Sequence, residues 1–181
     1  MIDTFLITHT LREMTSKRIS LYGLLIALAF VLSYLESLIP AFFAVPGMKL
    51  GLTNIVVLYA VYRMDVKAAL LINVVRIVLV GLTFATPVSF CFSFAGGILS
   101  TGVMLLIAKR TSFSMVSASI AGGIMHNVGQ IIVAILLLNT TAVLWYFVVL
   151  WFTGLLSGAV IGLICALIIK HVKWFEINSF Y

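Results

Sequence analysis

Six apolar stretches, separated by short polar breaks, account for most of the chain. A helix needs roughly 20 apolar residues to cross the hydrocarbon core of a membrane, and five of the stretches are close to that length or longer. The second is shorter, so we expect it to begin within the outer half of the membrane. The pattern predicts an all-α integral membrane protein, a six-transmembrane-helix bundle with spans at residues 19–39, 50–64, 66–84, 88–108, 115–138 and 142–169.

Lysine and arginine residues mark one side of this predicted bundle. The turns on the other side, residues 83–87 and 139–141, contain neither residue type. Because positively charged loops stay in the cytoplasm, both termini are predicted to be cytoplasmic. The chain then divides into a cytoplasmic N-terminal segment 1–18, a six-helix transmembrane domain 19–170 and a cytoplasmic tail 171–181. The cations on the cytoplasmic side are Arg12, Lys17, Arg18, Arg63, Lys67, Lys109, Arg110, Lys170 and Lys173.

Composition excludes several classes of protein. With 64% hydrophobic and 9% charged residues, a water-soluble domain of this size would have a largely apolar surface. The net charge of +6 follows from membrane topology, so we predict contact with membrane lipid and no nucleic-acid partner.

Cys91 and Cys165 lie near opposite membrane faces in this topology, too far apart for a disulfide. Their spacing fits neither a zinc nor a redox motif, so we predict free thiols and no metal or other cofactor.

The stretch from Val45 to Asn54 interrupts the apolar pattern with a Pro-Gly turn followed by a new helix. A helix that begins there directs its free N–H groups and partial positive charge toward the turn. Lys49 adds a full charge at the same place, on the side that otherwise lacks cations. The stretch is therefore a candidate anion-binding site. The alternative is a connecting loop whose lysine contacts lipid headgroups.

Polar side chains within the predicted spans gather between the membrane midplane and its outer surface. Such groups usually face the protein interior or a wet cavity, so we predict a cavity accessible from outside. Lys49 and Arg76 would hold an anion there, and Arg76 is suited to bidentate binding of carboxylate or phosphate. The remaining candidate binding residues are Glu36, Asn54, Asn73, His126, Asn127 and Gln130.

Two features of this polar set allow more than one interpretation. Glu36 either pairs with Arg76 or Lys49 and only neutralises buried charge, or leaves one cation available for a ligand. His126 is either a hydrogen-bonded core histidine or a ligand-binding residue. Glu36 is the only acid within the bundle, and metal-dependent prenyl diphosphate chemistry needs several carboxylates. We therefore predict that the chain is not an enzyme.

Small residues recur every fourth position on several helices, a spacing that lets helix backbones approach closely. Gly154, Gly158 and Gly162 form the longest such ridge, and we expect it to pack within the bundle. Gly23 and Ala27 on the first helix either pack internally or face a partner protein. A phenylalanine cluster near the outer end of the fourth helix lines an apolar pocket or faces lipid; its members are Phe84, Phe90, Phe92 and Phe94.

Several motifs resemble the family known as heptaprenyl diphosphate synthase component I, also called the Gx transporter family. The most specific is Pro46-Gly47-Met48-Lys49-Leu50-Gly51-Leu52-Thr53-Asn54, and the resemblance covers about residues 18–170. Further matching runs are 29–40, Asn73-Val74-Val75-Arg76, Ser93-Phe94-Ala95-Gly96-Gly97 and His126-Asn127-Val128-Gly129-Gln130.

This family is similar to the S components of energy-coupling factor (ECF) transporters, which are six-helix membrane proteins that bind a solute from outside. The resemblance implies a prokaryotic plasma-membrane protein that docks on an ECF T component and its ATPase subunits, with Gly23 and Ala27 at that interface. We expect a substrate-binding subunit for a small anionic solute with a link to prenyl or quinone metabolism. The alternatives are a membrane subunit of a heptaprenyl diphosphate synthase or quinone-linked redox complex, and a purely structural bundle.

Overall fold

The structure, a computed structural model, describes residues 2–39, 51–110 and 113–171, of which 2–15 by backbone alone. Every regular element in these ranges is helical, as predicted. In chain order the elements are α1 (Ile2–Leu38), α2 (Asn54–Arg63), α3 (Val66–Thr83), α4 (Pro87–Ala108), α5 (Met115–Leu138), a 3-10 turn (Thr141–Val143) and α6 (Leu144–His171).

Five helical stretches are long and apolar enough to cross a membrane, which makes the chain a multi-pass membrane protein. They include the apolar part of α1, Ser16–Leu38, although α1 itself already begins at Ile2. The predicted second span, residues 50–64, is a helix of 10 residues. At ~1.5 Å per residue, that helix covers about half of the hydrocarbon core.

Side chains at the helix starts explain where α3, α4 and α5 begin. Asp65 accepts a hydrogen bond from Ala68 N at 2.6 Å. Thr86 and Ser114 accept equivalent bonds from the backbone three residues later, at 3.1 Å each. These are N-caps that satisfy an otherwise unpaired N–H group, and Pro87 at the first position of α4 has no N–H to satisfy. The polar breaks between the apolar stretches therefore fix the helix ends.

The short helix α2 lies in the centre of the bundle and contacts each of the other five helices. Its residues Val56, Val57, Leu58 and Ala60 are at most 2% exposed. Together with Ile72 of α3, Met104 of α4 and Cys165 of α6 they form the apolar core. This central position directs the N-terminal end of α2 into the middle of the bundle.

Glycines bring α5 and α6 into backbone contact. A Cβ added at Gly158 would lie 2.7 Å from Ile120 Cα and from Ser119 O, and one at Gly154 would lie 2.9 Å from Gly123 O. Gly162 faces Val116 Cα in the same way. The predicted internal packing role of this ridge is confirmed. Cys91 is exposed and Cys165 buried, and both are free thiols as predicted.

We expect Gly158→Ala to lower the apparent melting temperature, because the new methyl group overlaps backbone atoms that cannot rotate away. Overpacking of this kind costs about 1–3 kcal/mol. The matched control is Gly102→Ala on α4, since a Cβ there meets nothing within 4 Å. Thermal unfolding of the detergent-solubilised protein measures both. Equal melting temperatures for the two variants would contradict the packing assignment.

Candidate functional site

A cavity of about 240 Å³ opens at the end of the bundle where α1 and α3 end and α2 and α4 begin. Its floor is the start of α2, at Gly51, Thr53 and Asn54. The midsections of α5 and α6 close its far side. The lining residues are Ser33, Glu36, Ser37, Gly51, Thr53, Asn54, Arg76, Val80, Phe84, Ala85, Thr86, Ser89, Ser93, Gly123, His126, Asn127 and Ser157.

The structure brings most of the predicted site residues together at this cavity. Five of them line it directly: Glu36, Asn54, Arg76, His126 and Asn127. Asn73 and Gln130 do not line it, but each bonds to a lining residue, Arg76 and His126 respectively. Lys49 lies outside the described residues, as do the Pro-Gly turn before it and the start of the anion-binding stretch.

Asn73 holds Arg76 in position through a chain of hydrogen bonds. Its Nδ2 donates to Gly97 O at 3.0 Å and to Thr101 Oγ1 at 2.8 Å. Both amide hydrogens are therefore used, which leaves Oδ1 to accept from Arg76 NH2 at 2.5 Å. Asn73 is 1% exposed. Because all its bonds are fixed, the orientation of the amide, and with it one edge of the guanidinium, is determined.

Gly97 makes this chain of bonds possible. A Cβ at Gly97 would lie 2.7 Å from Ile77 Cδ1 and 3.1 Å from Asn73 Nδ2. The absence of a side chain lets α3 approach α4 closely enough for Asn73 to reach the Gly97 carbonyl.

Arg76 is a buried cation with donor capacity left over. It is 8% exposed, and its Nε has no hydrogen-bond partner within the described part of the chain. Glu36 attracts it electrostatically. Among the described residues that line the cavity, these two are the ones with a permanent charge, so their charges offset one another there.

Glu36 also contacts the floor of the cavity. Its Oε1 accepts a hydrogen bond from Gly51 N, and Gly51 has the positive φ of 77° that glycine adopts without strain. The N–H groups of Asn54, Ile55 and Val56 bond to carbonyls three residues earlier. The carboxylate of Glu36 and these local bonds therefore already occupy much of the hydrogen-bonding capacity of the N–H groups at the start of α2. These are the groups that the sequence predicted would bind an anion.

The side chains of His126 and Asn127 each form a hydrogen-bond contact with another residue of the bundle. Gln130 Nε2 lies 3.2 Å from His126 Nε2, within hydrogen-bond distance. Asn127 Nδ2 donates to Leu150 O of α6 at 2.5 Å. Gly96 and Gly154 leave room for these two side chains, since a Cβ at either would lie 3.0 Å or less from them.

Sequence reasoning missed the hydroxyl groups of the cavity. The lining contains Ser33, Ser37, Thr53, Thr86, Ser89, Ser93 and Ser157. A signal was present, because Ser33 and Ser37, and likewise Ser89 and Ser93, are four residues apart and share a helix face.

The phenylalanine cluster divides between the cavity and other surfaces. Phe84 lines the cavity and packs against Phe30 and Tyr34, with ring centroids 5.7 and 5.6 Å apart. Phe90 stacks on Phe94 at 6.0 Å, and neither is among the lining residues, nor is Phe92. Residues 16–39, 51–110 and 113–171 contain no group of three or more His, Cys, Asp or Glu side chains placed to hold a metal.

We expect Asn73→Leu to destabilise the fold by roughly 1–3 kcal/mol, because it leaves the buried Arg76 without its acceptor. The same change in an Arg76→Met background should cost less, since no charge then needs the amide. Unfolding of the four proteins of this double-mutant cycle measures the coupling. Strictly additive effects would show that Asn73 does not hold Arg76.

Comparison with known proteins identifies the family. The family model described as heptaprenyl diphosphate synthase component I matches residues 25–168, a range that includes every described residue of the cavity. No curated protein and no solved structure matches the chain. The match agrees with the resemblance in the motifs around Asn54, Arg76 and His126. The chain is a member of the heptaprenyl diphosphate synthase component I family.

Proposed function

We propose that this protein is the substrate-binding subunit of an ECF-type uptake transporter and that it captures a small anionic solute from outside the cell. The observation that carries the proposal is the cavity itself. It contains a buried arginine, held by Asn73, with a donor atom still unused. A purely structural bundle has no need of a buried cation beside a void, since such charges are costly in a membrane.

The distribution of cations supports the sidedness of this proposal. The turn between α3 and α4, next to the cavity, has no lysine or arginine, whereas Arg63, Lys67, Lys109 and Arg110 lie toward the other end. By the positive-inside rule that other end is cytoplasmic. The cavity then faces outward from a prokaryotic plasma membrane, both termini are cytoplasmic, and α2 belongs to a sixth span.

An open face of α1 supports a partner within the membrane. Gly23 and Ala27 are both exposed, and a Cβ built at Gly23 meets nothing within 4 Å. Small residues on a free helix face allow another helix to approach closely. We assign this face to the ECF T component, which the ATPase subunits would drive.

We propose a binding role and not a catalytic one, because Glu36 is the single carboxylate among the described cavity residues. The family description favours a second candidate, a membrane subunit of a heptaprenyl diphosphate synthase or of a quinone-linked redox complex. In that role the protein would present a lipid substrate to a soluble enzyme.

Native mass spectrometry of gently extracted protein tests the binding role. We expect wild type to retain a small molecule that Arg76→Met loses, because methionine keeps the bulk of the side chain without its donors. Added back at 100 times its Kd, that molecule should stabilise wild type by about 2.7 kcal/mol. Lys67→Gln, an exposed cation on the same helix, is the control and should bind as wild type does. Equal retention of the small molecule by all three proteins would show that Arg76 does not contribute to the binding site.

Co-purification separates the two candidate functions. We expect tagged wild type to bring down a membrane T component with its ATPases, and Gly23→Leu to lose them because leucine blocks close approach on α1. Gly102→Leu is the matched control, since it also projects from a helix into open space. Recovery of a prenyl synthase or a flavoprotein in place of the ATPases would favour the second candidate.

A further inference from the structure

Among the described residues that line the cavity, Arg76 is the one whose side chain can only donate hydrogen bonds. The guanidinium of Arg76 has five N–H groups and no acceptor. Asn73 uses one of its NH2 hydrogens, while Nε has no partner in the described part of the chain. A ligand atom bound here must therefore accept hydrogen bonds, and it gains most from carrying a negative charge.

The serines around the cavity mostly present acceptors. Ser37 Oγ donates its hydrogen to Tyr34 O at 2.6 Å. Ser33 Oγ donates to Ala29 O at 2.9 Å and also lies 2.9 Å from Thr53 Oγ1, so part of its acceptor capacity is already used. Ser157 Oγ donates to Gly154 O at 3.4 Å. A hydroxyl whose hydrogen is given to the backbone has only its oxygen lone pairs left for a ligand. These serines therefore favour O–H or N–H groups on the ligand.

Two further side chains also present hydrogen-bond acceptors to the cavity. Asn127 Nδ2 donates one hydrogen to Leu150 O, which leaves Oδ1 as an acceptor and the second Nδ2 hydrogen as a donor. Glu36 lines the cavity as a carboxylate, which accepts hydrogen bonds and has several lone-pair positions. The cavity thus combines a donor end at Arg76 with acceptors on α1, α5 and α6.

Charge limits the anionic group of the ligand. Arg76 and Glu36 attract one another, so among the described lining residues there is no excess of permanent positive charge. A phosphate monoester carries about −1.5 to −2 at neutral pH, and a diphosphate carries more. Uncompensated charge in a low-dielectric site is expensive, so a carboxylate, with one negative charge, fits this lining better than a phosphate or a diphosphate does.

Size limits the rest of the ligand. A cavity volume of about 240 Å³ suits a small solute. A chain of seven isoprene units exceeds this space several times over.

We infer that the solute is a small carboxylate with hydroxyl or ammonium groups on neighbouring carbons, and not an isoprenoid diphosphate. The inference rests on the proposed binding function and specifies its substrate class. The carboxylate bonds to Arg76, and the O–H or N–H groups donate to Ser37, Ser157 and Asn127 Oδ1.

Thermal unfolding of the full-length protein in lipid nanodiscs, with defined probes, tests this class. The probes are glycerate and gluconate for hydroxyl donors, and serine and glutamine for ammonium donors. Propionate, inorganic pyrophosphate and geranyl diphosphate are the comparisons. We expect at least one donor-bearing carboxylate to raise the melting temperature, and the three comparisons to leave it unchanged. Which pair responds distinguishes a hydroxy acid from an amino acid.

Removing one acceptor then tests the assigned contacts. Ser37→Ala should weaken binding of the responding probe by roughly 2- to 10-fold, the value of one hydrogen bond. The control is Thr83→Val, because Thr83 gives its hydrogen to Leu79 O on its own helix and does not line the cavity. It should bind the probe as wild type does. Unchanged affinity in both Ser37→Ala and Ser157→Ala would overturn the assignment of acceptors.

Other outcomes separate this inference from the proposed function. Stabilisation by geranyl diphosphate or pyrophosphate, without any response to the carboxylates, overturns the inference and leaves a binding protein. If no probe responds, the mass of the molecule retained by wild type and lost by Arg76→Met decides. A carboxylate with hydroxyl or amino groups supports the inference, and any other class overturns it. If wild type retains nothing and no probe binds, both proposals fail.

Discussion

A buried polar group in a membrane has to find its hydrogen-bond partners inside the protein, and Asn73 meets this requirement for Arg76. Its two amide hydrogens are fixed by Gly97 and Thr101 of α4, so its oxygen has one direction left. The arginine follows that direction. The rest of the site depends on this arrangement, because an arginine without its acceptor would move toward other partners or toward water.

The hydrogen-bond network depends on the close packing of the helices. Glycines at 96, 97 and 154 stand opposite His126, Asn73 and Asn127, so each polar side chain has the space that a Cβ would take. The helices come near enough for side chains to reach backbone carbonyls of their neighbours. Rigid walls of this kind hold a cavity open in a bundle that apolar packing alone would close.

Much of this architecture follows from sequence, for identifiable reasons. The apolar stretches located α3 to α6 within a few residues, whereas α1 begins at Ile2 and not at the predicted residue 19. Depth along each helix grouped Glu36, Arg76 and His126. The helical periodicity of the polar residues and their depth in the membrane do not specify which polar groups face the cavity and which lie behind those groups. Asn73 and Gln130 therefore appeared as binding residues, although they position others. The serines were missed because hydroxyls also bond within their own helix, so their spacing of four residues did not by itself mark a cavity wall.

The ten residues of α2 have a consequence for relatives of this protein. Because the helix starts at the floor of the cavity and ends near the opposite side of the bundle, its length sets how deep the cavity reaches. One additional turn would raise the floor by about 5.4 Å, while one turn fewer would deepen the cavity. Insertions or deletions in a single element would thus change the volume of the cavity during evolution, without altering the surrounding scaffold.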